Sequence, residues 1–97
     1  MAIVIKPNGE KTVAHPKNER TGFDLEEIYA LIGCDCIDVV RLADGALMVC
    51  DDEACYKTEE ACPPNQMASA LYWASRPHAL GYPIRGTVLI GSRKEIQ

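Results

Sequence analysis

The stretch Asp24-Leu25-Glu26-Glu27-Ile28-Tyr29-Ala30-Leu31-Ile32-Gly33-Cys34-Asp35-Cys36-Ile37-Asp38-Val39-Val40-Arg41-Leu42 decides the fold class, because its apolar period changes part-way along. In the first half Leu25, Ile28, Leu31 and Ile32 recur at helical spacing and form one apolar stripe. Asp24 and Glu27 have the spacing of a capping box, in which each side chain takes a backbone N–H of the first turn. Gly33 adopts positive φ without steric cost and so stops the helix. The pattern predicts a helix over 24–32. Ile37 to Leu42 is instead strongly β-forming, and Ala46-Leu47-Met48-Val49-Cys50 follows after Ala43-Asp44-Gly45. Asp-Gly between two such runs favours a tight hairpin. Both runs are apolar at most positions, so at least one of the strands is expected to be central and covered on both faces.

Upstream, Ala2 to Lys6 is β-rich and Pro7-Asn8-Gly9 is a strong turn signal. Lys11-Thr12-Val13-Ala14 then returns as a partner strand, giving an N-terminal hairpin. His15 to Gly22 is polar, contains Pro16, and reads as a surface loop. Downstream, Asp51 to Cys62 is polar and acidic and leaves the sheet. Pro63-Pro64 halts that segment and Asn65 is a good N-cap. Met67, Ala70, Leu71 and Ala74 give a second amphipathic helix ending before Pro77, with Tyr72 and Trp73 off its stripe. Ile84 to Gly91 is a final strand, in which Gly86 marks a bulge or the close approach of another backbone. Ser92 to Gln97 is expected to fray. The order β-β-α-β-β-α-β implies an α+β fold, a mixed or antiparallel sheet with two helices packed on it. It forms a single domain over 1–97, with the ordered core at about 2–91.

The 97 residues, 47% hydrophobic and 25% charged, are ordinary for one globular domain. No apolar run approaches the ~20 residues of a membrane span. Met1 to Pro7 is too short, and too poor in basic residues, for a secretory signal, so a cytoplasmic location is expected. The net charge of −4 comes with scattered Lys and Arg. Without clustered cations to neutralise phosphates, nucleic acid is not an expected partner. Five cysteines in a chain with no secretory signal are expected to be reduced.

Candidate chemistry is sparse. Cys34-Asp35-Cys36 is C-x-C, and Cys50, Cys55 and Cys62 follow irregularly, unlike the paired knuckles of a structural zinc site. Cysteines beside strands pack as small hydrophobes, so neither metal nor cofactor is expected. The alternative is a metal or redox site drawn from Cys34, Cys36, Cys55 and Cys62. His15 and His78 stand alone beside prolines, and no phosphate-cradling glycine loop is present. Asp51-Asp52-Glu53 is an acidic cluster just beyond a strand expected to be central. Such a run is more often a solvated strand end than a cation or acid–base site.

Several of these pieces resemble one family. Ile28 to Leu42 is similar to its helix-to-strand signature, in which a glycine closes the helix and isoleucine plus an acidic residue opens the strand. Asp52-Glu53-Ala54 resembles its acidic step after the hairpin, although Ala54 stands at or before the usual small residue. Pro64-Asn65-Gln66-Met67-Ala68-Ser69 resembles its proline–asparagine helix start, and Ile84-Arg85-Gly86-Thr87-Val88-Leu89-Ile90 its closing strand. The family consists of small domains of unknown function spread among bacteria, plasmids and phages. The resemblance covers roughly residues 3–91 and brings no activity with it. It implies an accessory protein of a phage or plasmid, and it singles out Asp52, Glu53 and Asn65 as a shared surface.

The function expected from these features is a non-enzymatic binding or regulatory module. Its partner is a protein, or a second copy of itself through an uncovered strand edge or sheet face. The alternative is a protein that holds a small, nucleotide-like ligand near Asp52, Glu53 and Asn65, with Trp73 as a stacking surface.

Overall fold

A computed structural model of the chain describes residues 2–96, apart from the side chain of Cys55. Its local structure follows from turn and cap chemistry. Strands β1 (Ala2–Ile5) and β2 (Lys11–Ala14) pair antiparallel across a turn in which the Gly9 N–H donates to the Lys6 carbonyl at 2.9 Å. Helix α1 (Leu25–Ile32) starts on the expected capping box. The Asp24 carboxylate accepts the Glu27 N–H at 2.8 Å, and Glu27 accepts that of Asp24 at 3.1 Å. Gly33 ends the helix in the left-handed region. Strands β3 (Ile37–Arg41) and β4 (Leu47–Asp51) form the Asp-Gly hairpin. Helix α2 (Gln66–Ser75), strand β5 (Val88–Gly91) and the short helix α3 (Arg93–Ile96) complete the chain, with single 3-10 turns at Ala54–Tyr56 and Pro77–Ala79.

The five strands make one sheet in the order β2-β1-β5-β4-β3, and every pairing is antiparallel. The α+β expectation holds, and the strand order that the pattern left open is now known. The pleat sends alternate residues to two cores. Val4, Val49 and Leu89 meet Ile28 and Ile32 of α1, together with Phe23 and Ile96. Ile5, Met48, Cys50 and Val88 meet Ala68 of α2 on the opposite face. Strand β4 thus buries Met48, Val49 and Cys50 in succession, as a strand covered on both faces does.

Three local expectations are corrected. Strand β5 begins at Val88 rather than Ile84, because Gly86 turns out of the ladder with φ +82. A Cβ there would lie 2.7 Å from the Cys62 sulfur, the close approach that a glycine inside a strand advertises. The tail is also not frayed over 92–96. Ser92 starts α3, Ile96 is buried in the α1-side core, and the Phe23 N–H donates to the Glu95 carbonyl at 2.7 Å. That contact requires Gly22, with φ +79, where a Cβ would collide with the same carbonyl.

The third correction concerns which way α2 faces. Its expected stripe of Met67, Ala70, Leu71 and Ala74 points outward, while Ala68 and Ser69 are buried and Tyr72 and Trp73 are half-buried. Polar anchors decide this. Asn65 has no exposed surface, and its Oδ1 accepts the Ala68 N–H at 3.1 Å. Its Nδ2 donates to the Ile5 carbonyl at 3.0 Å and to the Gly86 carbonyl at 2.9 Å. One turn on, the Ser69 hydroxyl accepts the Ile84 N–H at 2.8 Å. Leaving those buried groups unpaired costs more than exposing two aliphatic side chains, so the helix turns its polar anchors inward.

The Asn65 amide gives the first prediction. Asn65→Ala removes a helix cap worth ~1 kcal/mol and strands two buried carbonyls at ~1 kcal/mol or more each, so unfolding free energy should fall by about 3 kcal/mol. Asn65→Asp keeps the cap acceptor but cannot donate, and should be no milder. Urea denaturation measures both, and a loss below about 1 kcal/mol for Asn65→Ala would show that the network does not carry this weight.

Candidate functional site

Acidic and thiol side chains gather at the end of the sheet that carries Ile37, Asp51 and Val88. The hairpin register sets Ile37 opposite Asp51, so the residues before β3 lie beside those after β4. The Cys36 carbonyl joins the two segments, accepting the Asp52 N–H at 3.0 Å and the Cys34 thiol at 3.3 Å. As a result Asp35, Cys36 and Glu53, all exposed, bring one ligand-type atom each to within 4.8 Å of one another. Asp51 points inward instead. Its carboxylate pairs with the Lys57 ammonium and also accepts the Glu53 N–H at 2.9 Å.

Electrostatics keep these thiols protonated. The Glu53 carboxylate, then partial desolvation and Asp35, raise the Cys36 thiol above its ordinary range. Burial, then Asp51, raises Cys34 and Cys62. Cys50, whose sulfur lies in the α2-side core, is pushed up to about 12, mainly by burial and next by Asp38. The hydrogen bond from Lys57 to Asp51 holds the lysine above its usual value. A thiol needs a cationic neighbourhood to become a good nucleophile or metal ligand at neutral pH, and carboxylates supply the reverse.

The four residues singled out in the sequence do not share a concavity among the hollows the structure describes. A hollow of ≈ 530 Å³ opens beside α1, lined by Phe23, Ala30 and Leu31 and by the charged Lys17, Asp24, Glu26 and Glu27. Another of ≈ 270 Å³ lies over Ile32, Asp51, Lys57 and Cys62. Neither is lined by Asp52, Glu53, Asn65 or Trp73. Asp52 and Glu53 are exposed at the acidic corner, whereas Asn65 has all its polar groups occupied inside the protein. Trp73 is half-buried, and its indole N–H donates to the Tyr82 carbonyl at 3.0 Å. Asp35 and Cys36 join Glu53 instead. The Asp-Gly turn was the signal that could have placed them there, because a tight turn sets hairpin register.

The α2 side of the sheet presents a different kind of surface. Register places Val13, Ile3, Ile90, Met48 and Val40 in one row across all five strands. Met48 is fully buried, but at the β2–β1 end of the row Ile3 is 36% and Val13 51% exposed. On the same side of the sheet, α2 turns Met67 (38% exposed) and Leu71 (39%) to solvent together with Ala70 and Ala74. No residue of α2, Gln66 to Ser75, is charged.

The family model described as "Domain of unknown function (DUF3846)" matches residues 1–95. The chain belongs to this family. The resemblance to a small family of unknown function, carried by the helix-to-strand signature and the proline–asparagine helix start, is thereby borne out. No curated protein and no solved structure matches the chain. In this DUF3846 domain no described helix is long and apolar enough to cross a membrane. Two of the residues behind the resemblance, Asn65 and Gly86, are joined by a hydrogen bond, so that part of the motif has a structural explanation.

The thiol environment predicts alkaline sensitivity. Cys50 titrates at about 12 in the folded protein against 9.0 for a free thiol. Its contribution to stability is therefore intact below pH 9 and is lost as pH rises towards 12, because only the unfolded chain sheds the proton in that window. Denaturation followed from pH 8 to 11 should show stability falling above pH 9, and Cys50→Val should flatten the fall. Identical slopes in both proteins would count against a buried, protonated Cys50.

Proposed function

We propose that this domain is a non-enzymatic binding module that works through protein contact on the α2 side of its sheet. The observation that carries the reading is the uncharged α2, exposing Met67 and Leu71 on the side of the sheet where Ile3 and Val13 are also exposed. Several exposed apolar side chains gathered on one side of a small domain favour an interaction site, whereas a single exposed aliphatic carries no such meaning. At the acidic corner, burial of Cys34 and the Glu53 carboxylate beside Cys36 favour the protonated thiols, which counts against a thiol nucleophile there. The reading suits the accessory role that the family resemblance implies.

A photo-crosslinking amino acid tests it. Placed at Leu71 in the protein within its host cells, the probe should give a discrete crosslinked polypeptide band. The same probe at Leu25, exposed on α1 on the opposite side of the sheet, should give none. Absence of any band from position 71, or equal bands from both positions, would reject protein contact on this face.

A further inference from the structure

The geometry points to a separate binding site on the α1 side of the sheet, in which Arg41 and Arg93 hold the phosphate group of a small phosphate monoester. This site stands apart from the protein contact on the α2 side and does not depend on it.

Sheet register builds the site. Arg41 on the edge strand β3 lies opposite Leu47, and Leu47 lies opposite Gly91 at the end of β5. Strand β5 stops there, and α3 starts two residues on with Arg93. Val39, two residues before Arg41, shares its face of the pleat. Val39, Arg41, Leu47 and Arg93 line one hollow of ≈ 260 Å³. Val39 is 46% exposed, so the hollow sets an open apolar wall beside two guanidinium groups.

Charge carries the argument. Acidic residues outnumber Lys and Arg by 14 to 10, yet no carboxylate lines this hollow. The hollows beside α1, over Asp51 and next to Ile3 each contain at least one. Among the described residues, neither guanidinium makes a hydrogen bond or an ion pair. Glu95 comes close to Gly91 in the same row, but it does not line the hollow. Its Oε1 accepts the Ser92 N–H at 3.0 Å and the Ser92 hydroxyl at 3.1 Å. Two like charges beside one hollow repel each other, and an anion between them replaces that repulsion with attraction.

The donors select the ligand. A guanidinium presents paired N–H groups in a planar fork, and the two oxygens of a carboxylate match one such fork. A phosphate monoester brings three terminal oxygens and a charge near −2, which suits two forks at once. The hollow is smaller than the ~300–1,000 Å³ of sites that enclose drug-sized ligands. It therefore takes the phosphate and the carbon atoms next to it, with those carbons resting on Val39 and Leu47. No nucleophile or general acid is among its lining residues, so the phosphate is bound and not transferred.

Phenyl phosphate supplies the dianion and an apolar body, and a titration followed by amide chemical shifts tests the site. At low salt, saturable shifts should centre on Val39, Arg41, Leu47 and Arg93, with a Kd of about 1 mM or below. Arg41→Gln and Arg93→Gln change exposed side chains, so both variants should fold. Each should weaken binding about tenfold or more. Arg20→Gln, in the loop before α1, should leave binding unchanged. Val39→Ser should weaken phenyl phosphate more than it weakens inorganic phosphate, and an equal loss would overturn the apolar wall. Benzoate binding as tightly as phenyl phosphate would overturn the phosphate assignment. Shifts that do not saturate by about 20 mM, or that survive both arginine substitutions, would overturn the site itself.

Discussion

The side-chain amide of Asn65 is the constraint on which the arrangement of this domain most depends. Its three hydrogen bonds tie the first turn of α2 to the carbonyls of Ile5 in β1 and Gly86 on the approach to β5. A primary amide suits this position because it both donates and accepts, whereas carboxylate, hydroxyl or aliphatic side chains leave at least one buried group unmatched. Once that amide is seated, the rotation of α2 about its axis is set. Ala68 and Ser69 must then face the sheet, and Met67 and Leu71 must face away. The external surface of the domain is in this sense a consequence of an internal polar bond.

How much of this could be read from the sequence differs by kind of interaction. Local chemistry was legible. The Asp24–Glu27 box, the Gly33 stop, the Asp-Gly hairpin and the Asn65 cap all sit where their residue types require, because each depends on neighbours within a few positions. That at least one hairpin strand would be covered on both faces was also legible from the apolar runs, and the structure shows it to be β4. What escaped was non-local. Gly86 leaves the ladder where Cys62 comes close to it, and the tail holds because Ile96 meets the core and Glu95 meets Phe23. The α2 stripe was read by periodicity alone, and periodicity cannot tell an apolar face that meets its own sheet from one that waits for another surface. Of the expected site residues, Asp52 and Glu53 did come out exposed at a strand end. Asn65 and Trp73 were found engaged by their own chain.

The acidic corner illustrates how composition alone misleads about cysteine. Cys34, Cys36, Cys50 and Cys62 all have their thiol pKa raised, by desolvation at three of them and by Glu53 above all at Cys36. An aspartate or glutamate beside a thiol does the opposite of what a histidine or lysine would do there. The one buried carboxylate described at this corner, that of Asp51, is matched by Lys57. Here burial and neighbouring carboxylates together favour the protonated thiols.

Strand β5 lies between β1 and β4, so it is the only link between the N-terminal hairpin and the Asp-Gly hairpin in the sheet. Each hairpin can form from adjacent segments, but among the described strands the two are joined only through the ladders that each makes with residues 88–91. During synthesis the growing chain would therefore carry two separate ribbons with open edges, and the sheet would close only when its last strand leaves the ribosome. An antiparallel domain wired in this way closes its sheet only after its last strand has emerged, and its interior edges stay exposed to other chains until then.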